Sequence, residues 1–148
     1  MILNRQRSVR VPAKELNQFL SRAQRALRLP SESVGVCLIT PSAMARWNRA
    51  YRGKQGPTDV LSFRARAADR KGKRFFKPDG DSASYLGDIA IAPAVARRNA
   101  VRFGRTFSQE MRILILHGML HLVGYDHETD NGQMDRREQR LRRSLGLV

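Results

Sequence analysis

All three histidines of this 148-residue chain fall within one short run, His117-Gly-Met-Leu-His121-Leu-Val-Gly124-Tyr-Asp-His127, and that run constrains the local fold more than any other feature. His117 and His121 are four residues apart. On a helix this spacing puts both imidazoles on one face, with Cβ atoms about 6 Å apart, within reach of a single metal ion. Phe107, Met111, Leu114, Ile115 and Leu122 recur at helical spacing ahead of and through the pair, so the segment is expected to be helical. Gly124 supplies a stop that tolerates positive φ and turns the chain back, which can bring His127 round to the other two. A histidine pair alone is ordinarily an accident of surface or core. All three histidines in this register, around a helix-ending glycine, point to a three-histidine metal site. Three neutral ligands leave a fourth position for water, the pattern of catalytic zinc, whereas structural zinc closes with four protein ligands.

The spacing H-x-x-x-H-x-x-G-x-x-H equals that of the metzincin zinc proteases, with one difference. Where those enzymes carry the glutamate that acts as general base, this chain has Gly118. The ligand set is present and the protease's base is not.

Length is that of one domain, residues 1–148, large enough for a real core. Its 28 Lys and Arg against 13 Asp and Glu give +15, and 23 of those cations are arginine. Arginine's planar fork pairs with phosphate and stacks on bases, so the charge favours nucleic acid over simple solubility. No segment joins a long apolar face to a basic one, which argues against a membrane surface. Cys37, the single cysteine, lies in the apolar run Val34–Ile39 and is expected to be buried. The N-terminal residues lack a signal-peptide core and nothing reaches membrane-span length, so the expected location is the cytoplasm.

Along the chain, Ile2–Gln6 suits a first strand. Pro12 opens a helix to about Leu29, with Leu16, Phe19, Leu20, Ala23 and Leu27 inward. Val34–Ile39 suits a central strand. Thr40-Pro41 caps a second helix ending near Arg52-Gly53, and Gly56-Pro57 turns into a strand over Val60–Phe63. Residues 64–84 read as a long loop with basic and aromatic residues interleaved, including Arg70, Lys71, Lys73, Arg74 and Phe75-Phe76. Such a loop suits single-stranded nucleic acid or plain mobility. Leu86–Ala92 is a fourth strand, followed by a helix to Phe103. Thr106 and Gln109 form a capping box for the histidine helix, and a last helix spans Asp130–Leu145 with Met134, Leu141, Leu145 and Glu138 on its inward stripe. The order β-α-β-α-β-β-α-α-α predicts a small α/β domain, α+β-like in its helical second half. About four strands in a mixed sheet pack with about five helices, and the metal site lies on a helix of the C-terminal half.

The run HGMLHLVGYDH closely resembles the signature of the YbeY family of bacterial ribonucleases and ribosomal RNA maturation factors. Asn48-x-x-Tyr51-Arg52-Gly53 with Pro57-Thr58-Asp59-Val60-Leu61-Ser62-Phe63 is similar to that family's second motif, Leu86-Gly87-Asp88-Ile89 to its third, and Met134 and Glu138 fit its last helix. The resemblance implies one zinc ion held by His117, His121 and His127. It also implies processing of ribosomal RNA ends, above all in the small subunit, and a part in ribosome quality control. It further associates Arg52 and His117 with RNA cleavage. Two features depart from the family: Arg64 stands where proline is usual, and the charge of +15 is high.

The leading expectation is therefore a zinc-dependent, single-strand-preferring endoribonuclease with RNA and the ribosome as partners. Arg52 serves as a bidentate donor to the phosphoryl group, and Arg70, Lys71, Lys73 and Arg74 hold the strand. Arg52 has two other readings, a helix C-terminal charge or an internal partner for Glu138. Asp126 and Asp59 are candidates to support the imidazoles, with turn stabilisation as the alternative for each. A second function class is a non-catalytic ribosome assembly factor with structural zinc. A third, a peptide hydrolase, is opposed by Gly118.

Overall fold

The computed structural model describes residues 1–65, 85–126 and 128–147. Within them run β1 (Ile2–Asn4), α1 (Ala13–Ala26), β2 (Val34–Leu38), α2 (Pro41–Arg52), β3 (Val60–Arg64), β4 (Gly87–Ile91), α3 (Pro93–Phe103), α4 (Phe107–Leu122) and α5 (Gln133–Ser144), in the expected order. The sheet order is β1-β2-β4-β3, with β1 and β2 parallel, β2 and β4 parallel, and β3 antiparallel to β4. This is the mixed four-stranded sheet with five helices that the pattern predicts.

β2 and β4 are buried throughout, which is why they read as unbroken apolar runs rather than alternating ones. Alternate residues serve opposite faces. Val34, Val36, Leu38, Ile89 and Ile91 pack with α1, α4 and α5 in the main core. Cys37, Ala90 and Ala92 face the other way, and these small side chains let Met44 and Trp47 of α2 sit close. Burial pushes the Cys37 thiol up to about 11, so it behaves as a small apolar side chain.

Helix ends follow local chemistry. Thr40 accepts from the Ala43 backbone with Pro41 behind it, and the Thr106–Gln109 capping box forms in both directions. Three boundaries move inward by two or three residues from their expected places. β1 stops at Asn4 because the Gln6 side chain turns back to Asn4 and the Val9 carbonyl. α1 closes at Ala26, and Arg28 beyond it turns to φ 56°. α5 starts at Gln133 because the Asp130 carboxylate accepts from the backbones of Gly132 and Met134 as a cap.

Gly118 sets how deeply α4 lies on the sheet. A Cβ there would come 2.8–3.0 Å from three side-chain atoms of Ile89, itself fully buried on β4. Its carbonyl accepts the Ser62 hydroxyl of β3 at 3.1 Å. Alanine is the better helix former by about 1 kcal/mol, yet the overpacking costs about 1–3 kcal/mol. Gly118→Ala is therefore expected to lower the urea midpoint. In the Gly118→Ala background, Ile89→Ala should destabilise less than the ~2–5 kcal/mol usual for such a truncation. Equal costs of Ile89→Ala in both backgrounds would show that the two residues do not press on each other.

Candidate functional site

α4 leaves the core with His117 and His121 half-buried along its edge, beside strand β3. Each ring is fixed by its Nδ1. That of His117 lies 2.7 Å from Glu138 Oε1 on α5, and that of His121 lies 3.1 Å from the Tyr125 carbonyl. A carboxylate and a carbonyl can only accept, so both Nδ1 atoms carry the proton and both Nε2 atoms present their lone pairs. The two Nε2 atoms converge to 3.2 Å. Two ligands of a tetrahedral zinc with Zn–N near 2.0–2.1 Å stand about 3.3 Å apart, so the pair fits such an ion in donor type and spacing. His127 lies outside the described residues. Among the described residues no group of three or more His, Cys, Asp or Glu is set to hold a metal.

Glu138 is the residue whose role the pattern left open. Arg142, one helical turn on, donates to its Oε2 at 2.5 Å while His117 occupies Oε1. Burial works to raise its carboxyl, but the His117 hydrogen bond and the Arg142 charge outweigh it and hold the group below its ordinary value. Its place on the apolar stripe of α5 was readable. An arginine partner was expected for it and Arg142 supplies one from the same helix at i+4; His117 was not readable, because it approaches from α4.

Arg52 ends α2, and its guanidinium reaches Glu128 at 3.4 Å, with side chains 39% and 60% exposed. Arg52 does not pair with Glu138, contrary to one expectation from the sequence, because His117 and Arg142 take the two carboxylate oxygens. The reading of Arg52 as a basic residue in the last helical turn stands. The α2 end is anchored by Tyr51 and Trp47, whose rings meet Phe63 edge-on at 5.1 and 5.9 Å. Asn48 ties the following loop by donating to the Gly56 carbonyl, so the Gly56-Pro57 turn is held by Asn48 and not by Asp59. Asp59 instead accepts from Thr58 and from Asn99 of α3. Asp126 accepts from the Glu128 backbone, and its own carbonyl accepts from Thr129 and Asp130, which is the turn-stabilising role. Neither carboxylate bonds an imidazole among the contacts described. Arg64 donates twice to the His121 carbonyl, capping the C-terminal end of α4. No sequence rule marked that contact. Arg70, Lys71, Lys73 and Arg74 lie outside the described residues.

A cleft of about 490 Å³ runs from Tyr51 and Arg52 past β3 to His117, His121, Asp126 and Glu128. A larger concavity of about 830 Å³ lies along α1 with Lys14, Arg25 and Glu32, and it has no imidazole or paired carboxylate to do acid–base work. The missing Cβ of Gly118 points at Ile89, so a side chain beside His117 would enter the sheet and not the cleft. That geometry, as well as residue type, leaves no protease-like base at this position.

Fold and site together define a small α/β protein with converging imidazoles and an arginine at the edge of one mixed sheet. The chain belongs to the YbeY family, since the model described as endoribonuclease YbeY matches residues 1–146. It is 44% identical over 117 residues to the endoribonuclease YbeY of Roseiflexus sp. (strain RS-1), covering 77% of this chain and 71% of that one. With that of Koribacter versatilis it shares 37% over 147 residues, 99% of this chain and 86% of the relative. The solution structure of TM1509 from Thermotoga maritima superposes with a TM-score of 0.56 over 98% of this chain and 89% of that one. At 24% identity, this last likeness speaks to the fold.

Glu138 and Arg142 are 7% and 14% exposed at the side chain, so removing one partner strands the other's charge in a poorly solvated place. Glu138→Ala is expected to destabilise the fold by about 3 kcal/mol in urea unfolding, and Glu138→Leu combined with Arg142→Leu to recover most of it. A double variant no better than the single one would mean that the pair contributes through packing and not charge.

Proposed function

We propose that the protein is a zinc-dependent endoribonuclease that cuts single-stranded regions of ribosomal RNA in the cytoplasm. Its role on this reading is maturation of the small-subunit RNA 3′ end and ribosome quality control. The observation that carries the proposal is the convergence of two Nδ1-anchored imidazoles in a cleft that also holds Arg52. Membership of a family described as endoribonuclease supports RNA as the substrate. No described helix is long and apolar enough to cross a membrane.

His117 and His121 would hold the zinc, with His127 as third ligand. When bound, the ion supplies Lewis acidity toward a phosphoryl oxygen and toward water. The chain's own residues do the rest. Glu138 and the Tyr125 carbonyl fix the tautomers, keeping each Nε2 in its ligating form and each ring in its plane. Arg52 is the phosphate clamp. Its pair with Glu128 is exposed and worth about 0–1 kcal/mol, so the guanidinium exchanges that carboxylate for phosphate at little cost. Charge builds on the phosphoryl oxygens as the diester breaks, and a two-pronged donor gains most then. Arg70, Lys71, Lys73 and Arg74 serve as strand-binding cations on this reading.

The deciding experiment is cleavage of end-labelled single-stranded RNA by purified, zinc-loaded protein. Wild type should cut. Arg52→Ala should lower kcat by about 10²–10³-fold while RNA affinity stays nearly unchanged. Cleavage that survives complete zinc removal, or that is undiminished in Arg52→Ala, removes that part of the mechanism. RNA binding with no cleavage would return the protein to the assembly-factor class.

A separate readout needs no turnover. Glu138→Gln keeps the shape of the side chain but loses the full anionic acceptor for His117. It should weaken zinc binding by about 10–100-fold in competition against a chromogenic chelator. Unchanged affinity, with far-UV circular dichroism like that of wild type, would show that Glu138 does not orient the ligand.

A further inference from the structure

Among the described residues only three large hydrophobic side chains are exposed, and two of them, Val101 at 80% and Phe103 at 54%, belong to the last turn of α3, where their i, i+2 spacing sets them on different faces. Phe103 is flanked by cations, with the Arg102 guanidinium carbon 5.7 Å and that of Arg105 5.2 Å from the ring centroid. Arg98 is exposed one turn back. Arg105 is paired with Glu110 at 2.9 Å, while Arg98 and Arg102 have no carboxylate partner among the described residues. Phe103 belongs to neither hydrophobic cluster, so the core does not account for a ring held among guanidinium groups at the surface.

The ring's position relative to the cleft gives it a role. Asn99 of α3 donates to Asp59 on the wall of the cleft. Phe103 follows Asn99 by four residues and Arg102 by three, so both share its helix face, with Cβ atoms about 5–6 Å apart. The path from the cleft thus runs over Asp59 and Asn99 to an arginine-flanked aromatic platform.

We propose that this end of α3 is a docking platform for the RNA strand beyond the cleft, with a base stacked on Phe103 and phosphates held by Arg98 and Arg102. The inference rests on the reading of the protein as an RNA-binding nuclease and adds a second contact point outside the metal cleft. Chemistry favours a nucleic-acid strand over a protein or lipid partner. The apolar area on this face is a single ring, too little for a stable protein interface, and the flat ring with cations beside it matches a base and its phosphates.

The test uses the full chain, freed of metal by chelation so that RNA stays intact. The probe is a fluorescein-labelled oligouridylate of about 12 nucleotides, with a second of about 4 nucleotides that cannot span both points. Phe103→Ala and Phe103→Leu should each weaken binding of the longer strand about tenfold, and Phe103→Trp should restore it. Competition by the shorter strand should be the same for all four proteins. Arg98→Gln with Arg102→Gln should reduce the slope of log affinity against log salt by about 1.4, or 0.7 for each phosphate released. Phe103 is exposed, so these variants are expected to keep the wild-type circular dichroism and melting temperature.

Wild-type affinity in Phe103→Ala, or in Phe103→Leu, where the apolar surface remains and the ring is gone, overturns the platform and leaves the nuclease reading intact. Failure of the wild type itself to bind either strand overturns both. Phe103-dependent sedimentation with phosphatidylglycerol vesicles, joined to Phe103-independent RNA binding, would assign the patch to a membrane and end the proposal.

Discussion

The site depends on the close approach of α4 to the sheet at Gly118. With no Cβ at this position, the helix backbone settles against Ile89 of β4, and its carbonyl comes within reach of Ser62 on β3. The distance from helix to sheet then decides where the neighbouring side chain goes. His117, one residue back, emerges at the sheet edge and not above its centre. His121, one turn on, follows it. A larger residue at 118 would lift the helix and draw both imidazoles away from Arg52 and β3. Sheet packing and imidazole placement are therefore one constraint, read from two sides of the same helix.

A second constraint is electrostatic. Glu138 sits among apolar neighbours on α5, where an unpaired carboxylate would be costly, and it is tolerated because each oxygen has a donor. Arg142 fixes the carboxylate, the carboxylate fixes the His117 ring, and the ring's remaining nitrogen is aimed at His121. The chain Arg142–Glu138–His117 links α5 to α4 through polar contacts. This buried polar group thereby specifies the geometry of a site and contributes less to bulk stability than an apolar residue would.

How far the sequence carried this picture depends on the range of the interaction. Local signals were legible. The Thr40-Pro41 start, the helix end at Arg52-Gly53, the Thr106–Gln109 box, the positive φ of Gly124 and the period of α4 are all decided within a few residues. The element order and the mixed sheet followed from them, and the short motifs led to the right family. Contacts between elements were not legible in the same way. Arg52 reaches Glu128 across 76 positions and Arg64 reaches the His121 carbonyl across 57, and no spacing rule encodes either. Asn48 was visible as a motif letter, but its task of holding Gly56 appears only once the loop is folded. Even at short range, competition can mislead: Asp130 reads as the first residue of α5, yet its side chain caps the helix from outside.

The arginine excess also has to be divided before it can be read as a binding surface. Arg142 and Arg105 neutralise the buried carboxylates Glu138 and Glu110, Arg64 closes the end of α4, and Arg112 lies over the ring of Phe19 at 5.7 Å. These tasks use the planar fork and its several donors, which lysine's single ammonium would serve less well. They explain part of the strong bias toward arginine with no reference to a ligand. What remains for a polyanion is the exposed subset, to which Arg52 beside the imidazoles and Arg98 and Arg102 on α3 belong. Net charge sets the long-range attraction for a polyanion, and on the reading proposed above the few arginines that face solvent next to aromatic or imidazole groups would decide where a strand comes to rest.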